Sequence, residues 1–99
     1  MPRKVLIVED NEDNRELVVK VLKNKGYIIA EAVDGEDAIE KAVSEKPDLI
    51  LLDVMMTKRT EGFDIANQLR HNTKTKNIPI IMITGIRKEM NLPFGFEAD

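Results

Sequence analysis

Two short apolar runs, each closed by acid, limit what this chain can fold into more than any other feature. Lys4-Val5-Leu6-Ile7-Val8 leads into Glu9-Asp10, and Leu49-Ile50-Leu51-Leu52 leads into Asp53. Unbroken β-favouring runs of this length suit strands covered on both faces, as in a parallel sheet. If the two strands lie side by side and parallel, Glu9, Asp10 and Asp53 converge at the carboxyl edge of the sheet, where open α/β folds bind ligands. Such acids repel one another unless protons or a cation compensate them. A hard divalent ion that prefers oxygen ligands, Mg2+ above all, is the natural partner.

Between and after these runs the hydrophobic period alternates. Leu17, Val18, Val21 and Leu22 recur at helical spacing, which predicts a helix over residues 13–25, with Asn11 or Asp13 as its cap and Gly26 closing it. Residues 27–32 read as a strand, and Asp34-Gly35 is turn chemistry that can also begin a helix. Ala38, Ile39, Ala42 and Val43 form the next apolar stripe, running to about Lys46 ahead of Pro47. A third strand is expected over 48–53, a third helix over 61–71 burying Phe63, Ile65, Ala66 and Leu69, and a fourth strand over 78–84. Strands and helices alternating over short connections predict right-handed crossovers and a doubly wound α/β sandwich. Residues 86–91 can add a helical turn or two before Pro93 and Gly95 interrupt.

A chain of 99 residues, 42% of them hydrophobic, is expected to form one small domain. A net charge of -3 without a basic stripe argues against direct nucleic-acid binding. The absence of cysteine removes thiolate metal sites, thiol nucleophiles and disulfides, and fits a reducing compartment. The first apolar run is too short for a signal peptide or a membrane span. The expectation is a cytoplasmic, soluble protein with no membrane partner.

Four segments carry a resemblance to a known family: Val8-Glu9-Asp10-Asn11, Leu51-Leu52-Asp53-Val54-Met55-Met56, Glu61-Gly62-Phe63 and Ile81-Met82-Ile83-Thr84-Gly85. Each is weak alone, but their order and spacing together are specific. In them the chain resembles the receiver domain of two-component response regulators, similar to the chemotaxis response regulator, over essentially its whole length. The resemblance implies a flavodoxin-like fold with strand order 2-1-3-4, whose fifth strand and last helix would lie beyond the chain. It also implies that Asp53 accepts a phosphoryl group, Mg2+-dependently, from a histidine kinase or phosphotransfer protein. Asp10 would hold the ion directly, Glu9 directly or through water, and the backbone carbonyl of Met55 would complete the protein ligands. The Thr84 hydroxyl would bond the phosphoryl group and draw the following loop inward, and Gly85 would leave room for the phosphate and offer its backbone N–H. A downstream effector protein or domain would read that change, so the chain is a signalling phosphoacceptor, catalysing only its own phosphorylation and dephosphorylation. The chemistry agrees, because a carboxylate attacking a negatively charged phosphoryl group needs a cation to neutralise both.

Bland readings stand beside these roles. Asp10 could merely begin the first helix, Thr84 alone is an ordinary strand-end hydroxyl, and Met55 and Met56 read as packing. His71, Lys74 and Lys76 read as solvated surface residues. Two departures from the family pattern stand out. Thr57 occupies the position of a usual Pro, and Glu61-Gly62 lies one residue later than usual, so the loop after Asp53 is longer by one. The family's fifth-strand Lys has no counterpart, Lys88 being nearest but in the wrong context, so the receiver spanning residues 1–99 is expected to be truncated at its C-terminus. A fourth strand left bare at its edge invites pairing with a second copy. Two other functions are therefore weighed: a pseudo-receiver that binds partners without phosphorylation, and a metal-dependent phosphohydrolase. The second is disfavoured because Met55 stands where such enzymes commonly carry a second acid.

Overall fold

The computed structural model of the chain describes residues 3–53 and 61–83. Along them run β1 (Lys4–Val8), α1 (Glu12–Asn24), β2 (Ile28–Ala32), α2 (Gly35–Glu45), β3 (Leu49–Asp53), α3 (Glu61–His71) and β4 (Ile80–Ile83). The four strands form one parallel sheet in the order β2-β1-β3-β4, the predicted 2-1-3-4. β1 and β3 occupy its middle, and residues 5–8 and 50–52 are at most 1% exposed, which is why both read as unbroken apolar runs.

Alternation along the strands sends side chains to two separate cores. Val5, Ile7, Leu51 and Ile83 pack with Val18 and Leu22 of α1 on one face. Leu6, Val8, Ile50 and Leu52 meet Ala38 and Ala42 of α2 and Ile65, Ala66 and Leu69 of α3 on the other. Helices therefore cover both faces, as the doubly wound pattern requires. Each large aliphatic side chain buried in this way contributes roughly 1.5–3 kcal/mol. No helix among the described residues is long and apolar enough to cross a membrane.

The element ends depart from expectation by one or two residues, each for a local reason. Asn11, not Asp13, caps α1, since its side chain accepts from the Asn14 N–H at 3.0 Å. Asp13 instead lies in the first turn with Glu12, where both carboxylates suit the positive end of the helix dipole. At the other end the Lys25 and Gly26 amides bond back to the Leu22 and Lys23 carbonyls, both at 3.0 Å, and Gly26 takes the positive φ of 92° that a side chain would resist. Asp34 caps α2 by accepting from the Asp37 N–H at 2.8 Å, and Asp37 accepts in return from the Val33 N–H at 3.1 Å. α2 stops at Glu45 because Lys46, just before Pro47, adopts the left-handed conformation with φ 48°. β4 begins at Ile80 and not at residue 78: the Ile78 N–H donates to the Thr75 carbonyl at 3.0 Å and still belongs to the preceding turn.

The register of the two central strands is anchored at the edge away from the acids. The Asp48 N–H donates to the Lys4 carbonyl at 2.8 Å, and the Lys4 N–H donates to Asp48 Oδ2 at 2.9 Å. Lys4 Nζ also pairs with Glu45 Oε1 at 3.0 Å. From this clamp the pairs run Val5 with Leu49 through Val8 with Leu52.

Candidate functional site

Because Val8 lies opposite Leu52, Glu9 just past β1 stands level with Asp53 at the end of β3. β1 connects to β2 on one side and has β3 on its other, so the two acids sit where the strand order reverses, the usual ligand crevice of such sheets. Glu9 is 1% exposed and Asp53 3%. Two buried carboxyl groups are thus brought together, those of Glu9 and Asp53 of the three acids expected at this edge.

The backbone explains why Glu9 turns inward. Its N–H continues the ladder to β2, donating to the Ala32 carbonyl at 3.1 Å. Its carbonyl accepts from Arg15 Nη1 at 3.0 Å, one turn into α1, and the Arg15 Nε in turn donates to Glu31 Oε1 of β2 at 3.0 Å. Glu9 Oε1 accepts from the Asn11 N–H at 3.0 Å, while the buried Oε2 has no donor among the described residues. The neighbouring carboxyl is that of Asp53, which bonds Glu9 only when one of the two carries a proton. Burial, then the contact with Asp53, then the charges of Asp53 and Asp10 push the Glu9 carboxyl up from 4.5 to about 9, against the opposing pull of the Asn11 amide.

Asp10 is half-buried beside this pair and adds to its negative field. The three acids do not close into a ready cage, for no group of three or more acid, His or Cys side chains among the described residues is arranged to hold a metal ion. Met55, Thr84 and Gly85, like Thr57 and Lys88, lie outside the described residues. His71 is exposed at the end of α3, with Nδ1 2.7 Å from the Asn67 carbonyl, and Lys74 and Lys76 are exposed in the turn that follows. Arg15 and Glu31 escaped sequence reasoning. Their meeting depends on β2 lying against β1, and the only local sign was an arginine within a turn and a half of the acids.

The chain matches the response regulator receiver domain family over residues 5–99. It is 40% identical over 97 residues to the alkaline phosphatase synthesis transcriptional regulatory protein PhoP of Bacillus subtilis (strain 168), covering 98% of this chain and 39% of that protein. Among solved structures it resembles the chemotaxis response regulator CheY4 of Vibrio cholerae, with 34% identity, a TM-score of 0.75, and coverage of 83% of this chain and 68% of that one. The receiver domain of the sensor histidine kinase PA1611 from Pseudomonas aeruginosa PAO1, solved with a magnesium ion coordinated in the active-site cleft, matches with 27% identity and a TM-score of 0.75, over 83% of this chain and 66% of that one. The chain spans less than two-fifths of the length of the regulator ResD of Bacillus subtilis as well, 38%, at 41% identity. Motif order, sheet order and these likenesses agree: the chain belongs to the response regulator receiver domain family.

Proposed function

We propose that the chain is a phosphoacceptor whose Asp53 takes a phosphoryl group from a histidine kinase or phosphotransfer protein, with Mg2+ held by Glu9, Asp10, Asp53 and the backbone carbonyl of Met55. The single observation that carries this reading is the buried Glu9–Asp53 pair at the switch point, with Glu9 Oε2 lacking a donor among the described residues. Two such groups held out of water are costly unless a cation or proton serves them, and a hard divalent ion accepts their oxygens as ligands. Bound there, the ion would supply the positive charge that lets an anionic carboxylate approach an anionic phosphoryl group.

The chain's own part is to hold the nucleophile. Asp53 ends a central strand whose register is locked, so its carboxyl is presented at one place on the sheet edge. In the transfer a carboxylate oxygen forms the new O–P bond as the P–N bond to the donor imidazole breaks, and the electron pair of that bond leaves with the imidazole nitrogen. Glu9 would give up its proton to serve as a ligand, since a carboxyl group binds a hard cation in its ionised form. The added charge of nearly two units at Asp53 is then answered, in this reading, by the Thr84 hydroxyl and the Gly85 amide, whose roles rest on the family motif alone. The product is a changed surface for an effector, and the names of the curated relatives suggest an output in transcription. The same reading places the chain in the cytoplasm, without direct nucleic-acid or membrane contact of its own, and admits pairing of two copies. It makes the chain a signalling switch and not an enzyme acting on other molecules.

Intact-mass spectrometry after incubation with acetyl phosphate and Mg2+ tests it. One phosphoryl adduct is expected, absent in Asp53→Asn and absent when EDTA replaces Mg2+. A folded wild type that gains no adduct would make the chain a phosphorylation-independent interaction module, and an adduct surviving in Asp53→Asn would move the acceptor elsewhere.

A further inference from the structure

We propose that Arg15 is a positioning residue for the acidic site, acting through the Glu9 backbone and itself held by Glu31. This rests on the reading of Glu9, Asp10 and Asp53 as a Mg2+ site. Arg15 touches none of the three carboxyl groups in any bond described above. Its Nη1 donates instead to the Glu9 carbonyl, and its Nε donates to Glu31 Oε1, both at 3.0 Å. The Arg15 side chain is only 14% exposed although it carries a full charge, whereas its partner Glu31 is 47% exposed.

The contact falls where a fixed backbone matters most. β1 ends at Val8 and α1 begins at Glu12, so the chain must turn within three residues, two of which are the acids. On one side the turn is tied by the Glu9 N–H to Ala32 and on the other by the Asn11 N–H to Glu9 Oε1. Neither tie uses the Glu9 carbonyl, and Arg15 donates to it. A guanidinium donates in a rigid fork, so one side chain can join the Glu9 carbonyl to β2 with both distances fixed. The peptide plane between Glu9 and Asp10 is thereby set, and with it the direction in which both carboxyl groups leave the chain. Its charge is matched by Glu31 and does not compete strongly with a cation at the site, so its effect on metal binding is through geometry.

Outer residues of this kind typically change metal affinity by ten- to a hundred-fold. Titration of the 15N-labelled protein with Mg2+, following the Glu9, Asp10 and Asn11 amides by NMR, reads the affinity directly and needs no phosphorylation. Arg15→Gln is expected to weaken Mg2+ binding about ten-fold and to speed exchange of the Asn11 amide. Glu31→Ala, which removes the tether, should weaken it several-fold, while Glu31→Gln, which can still accept from Nε, should stay within about two-fold. Glu31 is exposed on an outer strand, so the Glu31 pair decides the matter even if Arg15→Gln fails to fold. Unchanged affinity in Arg15→Gln or Glu31→Ala, with wild type binding Mg2+ normally, overturns the positioning role alone. A wild type whose three amides ignore Mg2+ overturns the metal reading and this inference with it.

Discussion

A carboxyl group that keeps its proton in the folded state but loses it when unfolded makes stability fall as pH rises. Glu9 is such a group, raised from 4.5 to about 9 by burial and by Asp53 and Asp10. Its protonated form contributes fully below about pH 4.5, and that contribution is lost progressively until pH passes about 9. Urea melts of the metal-free protein are therefore expected to lose up to about 1.4 kcal/mol per pH unit across this window from Glu9. Glu9→Gln should flatten the curve, and under the proposed metal reading saturating Mg2+ should do the same by replacing the proton. A wild type and a Glu9→Gln variant with parallel pH profiles would refute the assignment. The place of Glu9 was legible in the sequence, because an acid after an apolar run must lie at a strand end. Its retained proton was not, because that depends on how completely α1 and the neighbouring strands shut out water.

Helix ends show a similar division at the scale of the element. Asp34 caps α2 by accepting from the Asp37 N–H, so Asp34→Ala is expected to cost about 1 kcal/mol and Asp34→Ser to recover most of it, measured by chemical denaturation. A loss equal in the two variants would mean that the cap contributes nothing. Asp34-Gly35 read as turn chemistry that can also begin a helix, and the local signal left both readings open. The start of α1 left Asn11 and Asp13 open, because both are capping residues and only the chain's path out of β1 chooses between them. The end of α3 left less trace. Thr75 is buried there, its hydroxyl donating to the Leu69 carbonyl at 2.7 Å, and this turn delays β4 until Ile80. Ile78 is apolar enough to read as strand, but its N–H is held by the Thr75 carbonyl, in a turn that Thr75 ties back to Leu69.

At the scale of the whole molecule, the sheet separates two cores that share no side chains among the described residues. Leu22 belongs to the α1 side and Ile65 to the side of α2 and α3. Leu22→Ala is expected to cost about 3 kcal/mol and Ile65→Val about 1 kcal/mol, and the double variant their sum within about 0.5 kcal/mol. A larger coupling, found by denaturation of all four proteins, would show that the sheet transmits repacking from face to face. Fold class and sheet order were legible because alternating strand and helix patterns leave few topologies, and the family motif selects one. The Lys4–Asp48 clamp was not, since nothing near either residue names the other. Yet Lys4 stands five places before Glu9, and Asp48 five places before Asp53. Side chains on neighbouring strands have only two phases, so sliding β3 by a single place would swing Asp53 to the opposite side of the sheet from its present neighbour. The meeting of the two acids is thus decided at the far rim, and a lesion at Lys4 or Asp48 can separate them, and so abolish the proposed phosphoacceptor role, without touching either carboxyl group.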